Sequence, residues 1–217
     1  MTEIQFNEIK ERLTQWRQER HLTYENQREE FLGNVFEKVS KYFRAKDNLE
    51  RIDALYNIAV FYANSFSFKH KIIPLDSDLL PEDLFSHLIY ELSIFCIEKG
   101  NKLNLKFIEK NLGYGFLILI EMILKDLGFD LHKCILEILK EIESRTGYYD
   151  KELNKFTKDK GAYNTEDAFN RFLKENISDD FYILEDNEEF VIFDKENDFA
   201  LDKFKKWYKA DYESCRI

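Results

Sequence analysis

Glycine and proline are scarce in this chain: 7 Gly and 2 Pro in 217 residues. So few turn-formers exclude an all-β protein built from many tight hairpins. Three cysteines, Cys96, Cys134 and Cys215, are scattered and show no CxxC or Cys/His ligand spacing. That excludes a disulfide scaffold or zinc module and points to reduced thiols in a cytosolic protein. The most apolar run, residues 116–124, is broken by Glu121 and is far too short to span a bilayer. The first sixteen residues, MTEIQFNEIKERLTQW, have early acids and no apolar core, so a secretory signal is not expected. Positive charge is also short, with a formal net charge of −10, which disfavours general binding to nucleic acid. The histidines form no HxH or HExxH pair. Neither a phosphate-cradling glycine loop nor a GxSxG nucleophile turn occurs.

What is abundant is apolar and aromatic mass. Hydrophobic residues make up 44% and aromatics 16%, with 20 Phe and 12 Tyr. That supply supports a real core and excludes long disorder.

The periodicity is helical. Phe6, Ile9, Leu13 and Trp16 predict an amphipathic helix over residues 4–20. Thr23 is placed to cap a second, with Leu32, Val35, Phe36, Val39 and Phe43 as its apolar positions. A third, capped at Asn48, carries Ile52, Leu55, Tyr56, Ala59 and Ala63 on one face. A loop with Pro74 follows; Pro81 and Gly100 bracket the next helix. Asp130 opens a helix running to about Arg145, stopped by Gly147. Residues 148–163 are polar and lysine-rich without clear period. Thr165, Glu166 and Asp167 start a short helix. Residues 181–193 carry the one convincing β signal, a hairpin turning at Asp186, Asn187 and Glu188. Leu201, Phe204, Trp207 and Tyr208 then predict a last helix from about Asp198.

Residues 33–64, GNVFEKVSKYFRAKDNLERIDALYNIAVFYAN, resemble the metal-binding helix pair of the MazG-like, all-α nucleotide pyrophosphohydrolases. The segment IDALYNIAVF resembles that superfamily's IDALxDIxVF, and NVFEKVSKYFRAKD resembles its N-x-x-E-E-x-x-E-x-x-x-A-x-D. Residues 137–159 are similar to the segment that ends the bundle and contributes to the nucleotide pocket, and KWYKADYESC is similar to these proteins' C-terminal tail. The resemblance covers roughly residues 10–160 and the last dozen. It implies an all-α helical bundle over 1–160 with a C-terminal appendage over 161–217, a homodimer, and hydrolysis of nucleoside triphosphates with Mg²⁺.

Magnesium needs hard oxygen ligands, and a helix presents them when acids recur at three or four residues. Glu50, Asp53 and Asn57 share one side of the third helix and are the candidate metal ligands. Glu37 and Asp53 are the candidate catalytic acids. On the second helix, however, Lys38 and Lys41 stand where the family places its ExxE pair, and a protonated lysine has no lone pair for a metal. Asn57 stands where a second Asp belongs. The site is therefore expected to be degenerate, with hydrolysis weak or lost. Lys38 and Lys41 either pair with Glu50 and Asp53 or, with Arg145, Lys155 and Lys158, hold phosphate. Two other readings stay open. One is an active hydrolase with relocated carboxylates, using Glu37, Glu50 and Asp53 with Glu29 or Glu30. The other is a non-catalytic module for nucleotide sensing or subunit pairing.

Overall fold

A computed structural model describes residues 1–71, 81–100, 113–153, 155–175 and 180–217. The Pro74 loop lies outside the described residues. About 59% of what is described is helical and 16% is strand. The chain divides into two compact units, Met1–Ile138 with Asp211–Ile217, and Leu139–Ala210.

The helices are α1 (Glu3–Glu19), α2 (Tyr24–Arg44), α3 (Asn48–Ser65), α4 (Pro81–Gly100), α5 (Gly115–Asp126), α6 (Leu131–Ser144) and α7 (Thr165–Glu175). Two capping boxes start the chain's first pair. Thr2 with Gln5 opens α1, and Thr23 with Asn26 opens α2, each side chain taking the other's otherwise unbonded N–H. Asp47 caps α3, one residue before the expected Asn48, by accepting from the Glu50 N–H at 2.9 Å.

In the first unit α3 is the central element. Ile52, Leu55, Tyr56, Ala59 and Ala63 are buried as expected, and so are Ala54, Ile58, Val60 and Tyr62, so the helix is enclosed on nearly every side. Around its far end Phe31, Tyr62, Phe66, Phe95 and Phe116 form one aromatic cluster with ring centres 4.5–6.2 Å apart. The Tyr62 hydroxyl, deep in this cluster, donates to the Gly113 carbonyl at 2.8 Å, which satisfies its one buried polar atom. On α2 the buried positions are Phe31, Val35 and Val39, whereas Phe36 and Phe43 are 42% and 70% exposed. Those two aromatics belong to the outer surface and not to the expected core face. Arg17, one turn beyond Leu13, takes a core position that Trp16 was expected to hold. Its guanidinium lies 4.2 Å from the Tyr24 ring and donates to Asn64 and Thr14.

The second unit overturns the all-α expectation. It holds two sheets, so the fold is mixed α/β. Strands β1 (Gly147–Asp150) and β2 (Lys155–Lys158) form an antiparallel hairpin in the lysine-rich stretch that shows no period. Strands β3 (Gly161–Ala162), β4 (Phe181–Glu185), β5 (Glu189–Asp194) and β6 (Ala200–Lys206) make a four-stranded sheet in the order β3-β6-β5-β4. The β4–β5 hairpin falls where the alternating aromatic runs place it. The expected terminal helix is instead strand β6. Phe204 stands directly opposite Phe190, and both are buried with Ala162, Ala168, Phe172, Phe181 and Ile192. Burying Phe204 against Phe190 outweighs the helix-like spacing of Leu201, Phe204 and Tyr208. Leu201 and Tyr208, freed from any shared face, are partly exposed.

Candidate functional site

Among the described residues helices α2 and α3 pack against each other more extensively than any other pair of elements, which brings Lys41 to Asp53. The Lys41 ammonium donates directly to Asp53 Oδ2. The other carboxylate oxygen, Oδ1, accepts from the Tyr56 hydroxyl, one turn along α3, and from Asn57 Nδ2 at 3.4 Å. Asn57 Nδ2 also donates to the Asp53 backbone carbonyl at 2.6 Å. Asp53 is 23% exposed and Lys41 44%, so the pair sits at the rim of the helix interface.

Below the rim the network continues inward. Tyr56 is fully buried, and its ring centre lies 4.5 Å from that of Tyr212 in the Asp211–Ile217 segment. Burial first, and then the adjacent Asp53 carboxylate, push the Tyr56 phenol far above its ordinary value, so it stays a neutral donor. Sequence reasoning missed both tyrosines, because each reads as core mass. Only the spacing of Tyr56 three residues after Asp53, within one helical turn, hints that the hydroxyl can reach the carboxylate.

The remaining candidates are engaged elsewhere. Glu37 is 69% exposed and pairs with its neighbour Lys38 at 3.0 Å, so Lys38 does not face Asp53. Glu50 Oε2 accepts the Lys46 N–H at 2.8 Å, a local closure at the start of α3. In the second unit Arg145 donates to Glu141 and to the Tyr163 hydroxyl, and its guanidinium lies 5.6 Å from the Trp207 ring. Glu141 also accepts the Ala210 N–H at 3.2 Å, so this cluster ties the unit's two chain ends together. Lys158 pairs across the β1–β2 hairpin with Gly147. The Lys155 side chain lies outside the described residues.

These residues do not fit a magnesium ion. A divalent cation needs several open oxygen ligands, yet both Asp53 oxygens already face donors, one of them a cation. Among the described residues no group of three or more His, Cys, Asp or Glu is placed to hold a metal. What the arrangement does offer is a charge-neutral junction that pins α2 to α3. Comparison with family models, curated proteins and solved structures finds no match for this chain. Among the described residues no helix is long and apolar enough to cross a membrane.

Proposed function

We propose that this chain is a divergent relative of the MazG-like nucleotide pyrophosphohydrolases, cytoplasmic, with its magnesium-dependent hydrolysis weakened or lost. One observation carries the reading: Lys41 stands on Asp53, supplying from the protein itself the positive charge that a metal would bring. A direct Lys–Asp contact neutralises the carboxylate but activates no water, so the pair has structural value and no hydrolytic power.

The reading with relocated carboxylates needs Glu37, Glu50 and Asp53 on one ion. Glu37 on Lys38 and Glu50 on the Lys46 amide argue against it. Partnering with a second copy is supported by the outward-facing Phe36 and Phe43, seven residues apart on one side of α2.

The test is release of pyrophosphate from each deoxynucleoside triphosphate by purified protein with Mg²⁺. Background rates are expected, and robust metal-dependent release of pyrophosphate overturns the proposal. Thermal shift with nucleotides in the absence of metal then separates sensing from pairing, since a ligand of the folded state raises Tm.

A further inference from the structure

Two of the three cysteines are held by one stretch of backbone. Cys134, in the first turn of α6, and Cys215, in the 3-10 turn Glu213–Cys215, are both fully buried, and the Cys215 thiol donates to the Asp211 carbonyl at 3.7 Å. The surrounding backbone fixes the approach. Asp130 receives the Cys134 N–H at 3.1 Å on its carbonyl and donates its own N–H to the Cys215 carbonyl at 3.0 Å. One residue thus holds both cysteines. The Ile217 N–H reaches the Gly128 carbonyl at 3.1 Å, and the Asp211 N–H reaches Glu137 at 3.0 Å. The segment Asp211–Ile217 is therefore a strap laid along the start of α6. It also carries Tyr212, the tyrosine against Tyr56 beneath Asp53.

We propose that Cys134 and Cys215 form a reversible disulfide that latches this strap and so locks Tyr212 against Tyr56. Local opening of the strap, held by a few hydrogen bonds from its backbone, admits the oxidant. With oxidised glutathione the Cys215 thiolate attacks one glutathione sulfur and expels the first glutathione thiolate. The Cys134 thiolate then attacks the mixed disulfide at Cys215 and expels the second. The two protein protons leave with the two reduced glutathiones, and two electrons pass from the protein to the oxidant. Cys215 is the attacking sulfur. The neighbouring Cys134 draws its thiol below the usual range, whereas Cys215 and burial push Cys134 up. Exposed Cys96 takes no part. The latch works whether or not the Asp53 network meets a nucleotide.

The experiment uses the full chain carrying Cys96→Ser, incubated with oxidised glutathione and compared with a dithiothreitol-treated sample. Expected are a mass loss of about 2 Da per chain and a peptide linking residues 134 and 215. Tm should rise by about 5–15 °C, because the bond closes a long loop of the unfolded chain. Exchange of the Asp211, Cys215 and Ile217 amides should slow. Adding Cys134→Ser should abolish all of these effects while the reduced protein stays folded by circular dichroism. Retention of both thiols, or glutathione adducts that persist without a 134–215 link, overturns the proposal. A link that forms without slowing those three amides overturns the latch.

Discussion

Removing either side of the Lys41–Asp53 contact should not cost the same, and the asymmetry tests the account of the site. Lys41 is 44% exposed, so its ion pair is heavily screened. Lys41→Met should therefore lower stability by about 0–1 kcal/mol. Asp53→Ala removes the same ion pair and also takes the carboxylate acceptor from the fully buried Tyr56 hydroxyl. Leaving such a group without that acceptor adds about 1–3 kcal/mol, for a total of about 1–4 kcal/mol. Asp53→Asn is the informative third variant. It keeps an oxygen for Tyr56 while losing the charge, so it should fall with Lys41→Met. The assay is urea unfolding followed through Trp16 fluorescence in a Trp207→Phe background, reading midpoint shifts at constant slope. The double variant of Lys41→Met and Asp53→Asn should cost no more than either single change within error. If Asp53→Ala costs under about 0.5 kcal/mol, Tyr56 does not depend on Asp53 and the network argument is wrong. If Asp53→Asn matches Asp53→Ala, the charge and not the acceptor carries the effect.

Lys41→Glu replaces the resident cation with an acid, and 10 mM Mg²⁺ should then raise Tm by about 2–5 °C for a millimolar site, while the unmodified protein shows no such rise. Gly161→Ala should destabilise the second unit by about 1–3 kcal/mol, seen as lost near-ultraviolet dichroism of Trp207. A Cβ there would stand 2.0 Å from the Trp207 indole nitrogen. Burial alone would raise the Asp167 carboxyl, but Arg171 at 2.9 Å and the Tyr163 N–H at 3.1 Å together hold it below its usual range. A depressed carboxyl stabilises the fold above its unfolded value, about 4, and that stability is lost as pH falls through its folded value. Asp167→Asn should accordingly flatten the acid limb of the second unit's stability curve in thermal unfolding from about pH 5 to 2.

How much of this was legible in the sequence depends on which force decided each element. The existence and extent of helices α1 to α3 were, because the apolar period is helical there, although Phe36 and Phe43 fall outside the buried face and Asp47, not Asn48, caps α3. Strand β6 was not. Leu201, Phe204 and Tyr208 have helical spacing, yet the partner that decides the outcome, Phe190, lies fourteen residues before Phe204. A local pattern cannot report a pairing made across a sheet. The β1–β2 hairpin escaped notice for a different reason: its strands are four residues each, GYYD and KFTK, too short to show a period, and Tyr149 meets Phe156 only once the strands pair. At the site, the two lysines on α2 were legible, but their individual partners were not. Lys38 and Lys41 lie three positions apart on one helix. Only packing against α3 sends Lys41 to Asp53 and leaves Lys38 with Glu37.

That division gives Asp53 a structural role that needs no metal ion. Tyr56 is fully buried against Tyr212, and a buried hydroxyl requires a hydrogen-bond partner. Asp53 provides it from one turn away, and Asp53, itself three-quarters buried, requires a countercharge. In a metal enzyme a divalent ion meets that need; here Lys41 does. Once the lysine is present each member is held by the next: Lys41 neutralises Asp53, Asp53 satisfies Tyr56, and Tyr56 packs on Tyr212. An acid in an ExxD pattern is thus no evidence of hydrolysis by itself, since a buried tyrosine is enough to account for it. The discriminating residue is the one opposite the acid, and in this chain that residue is a cation.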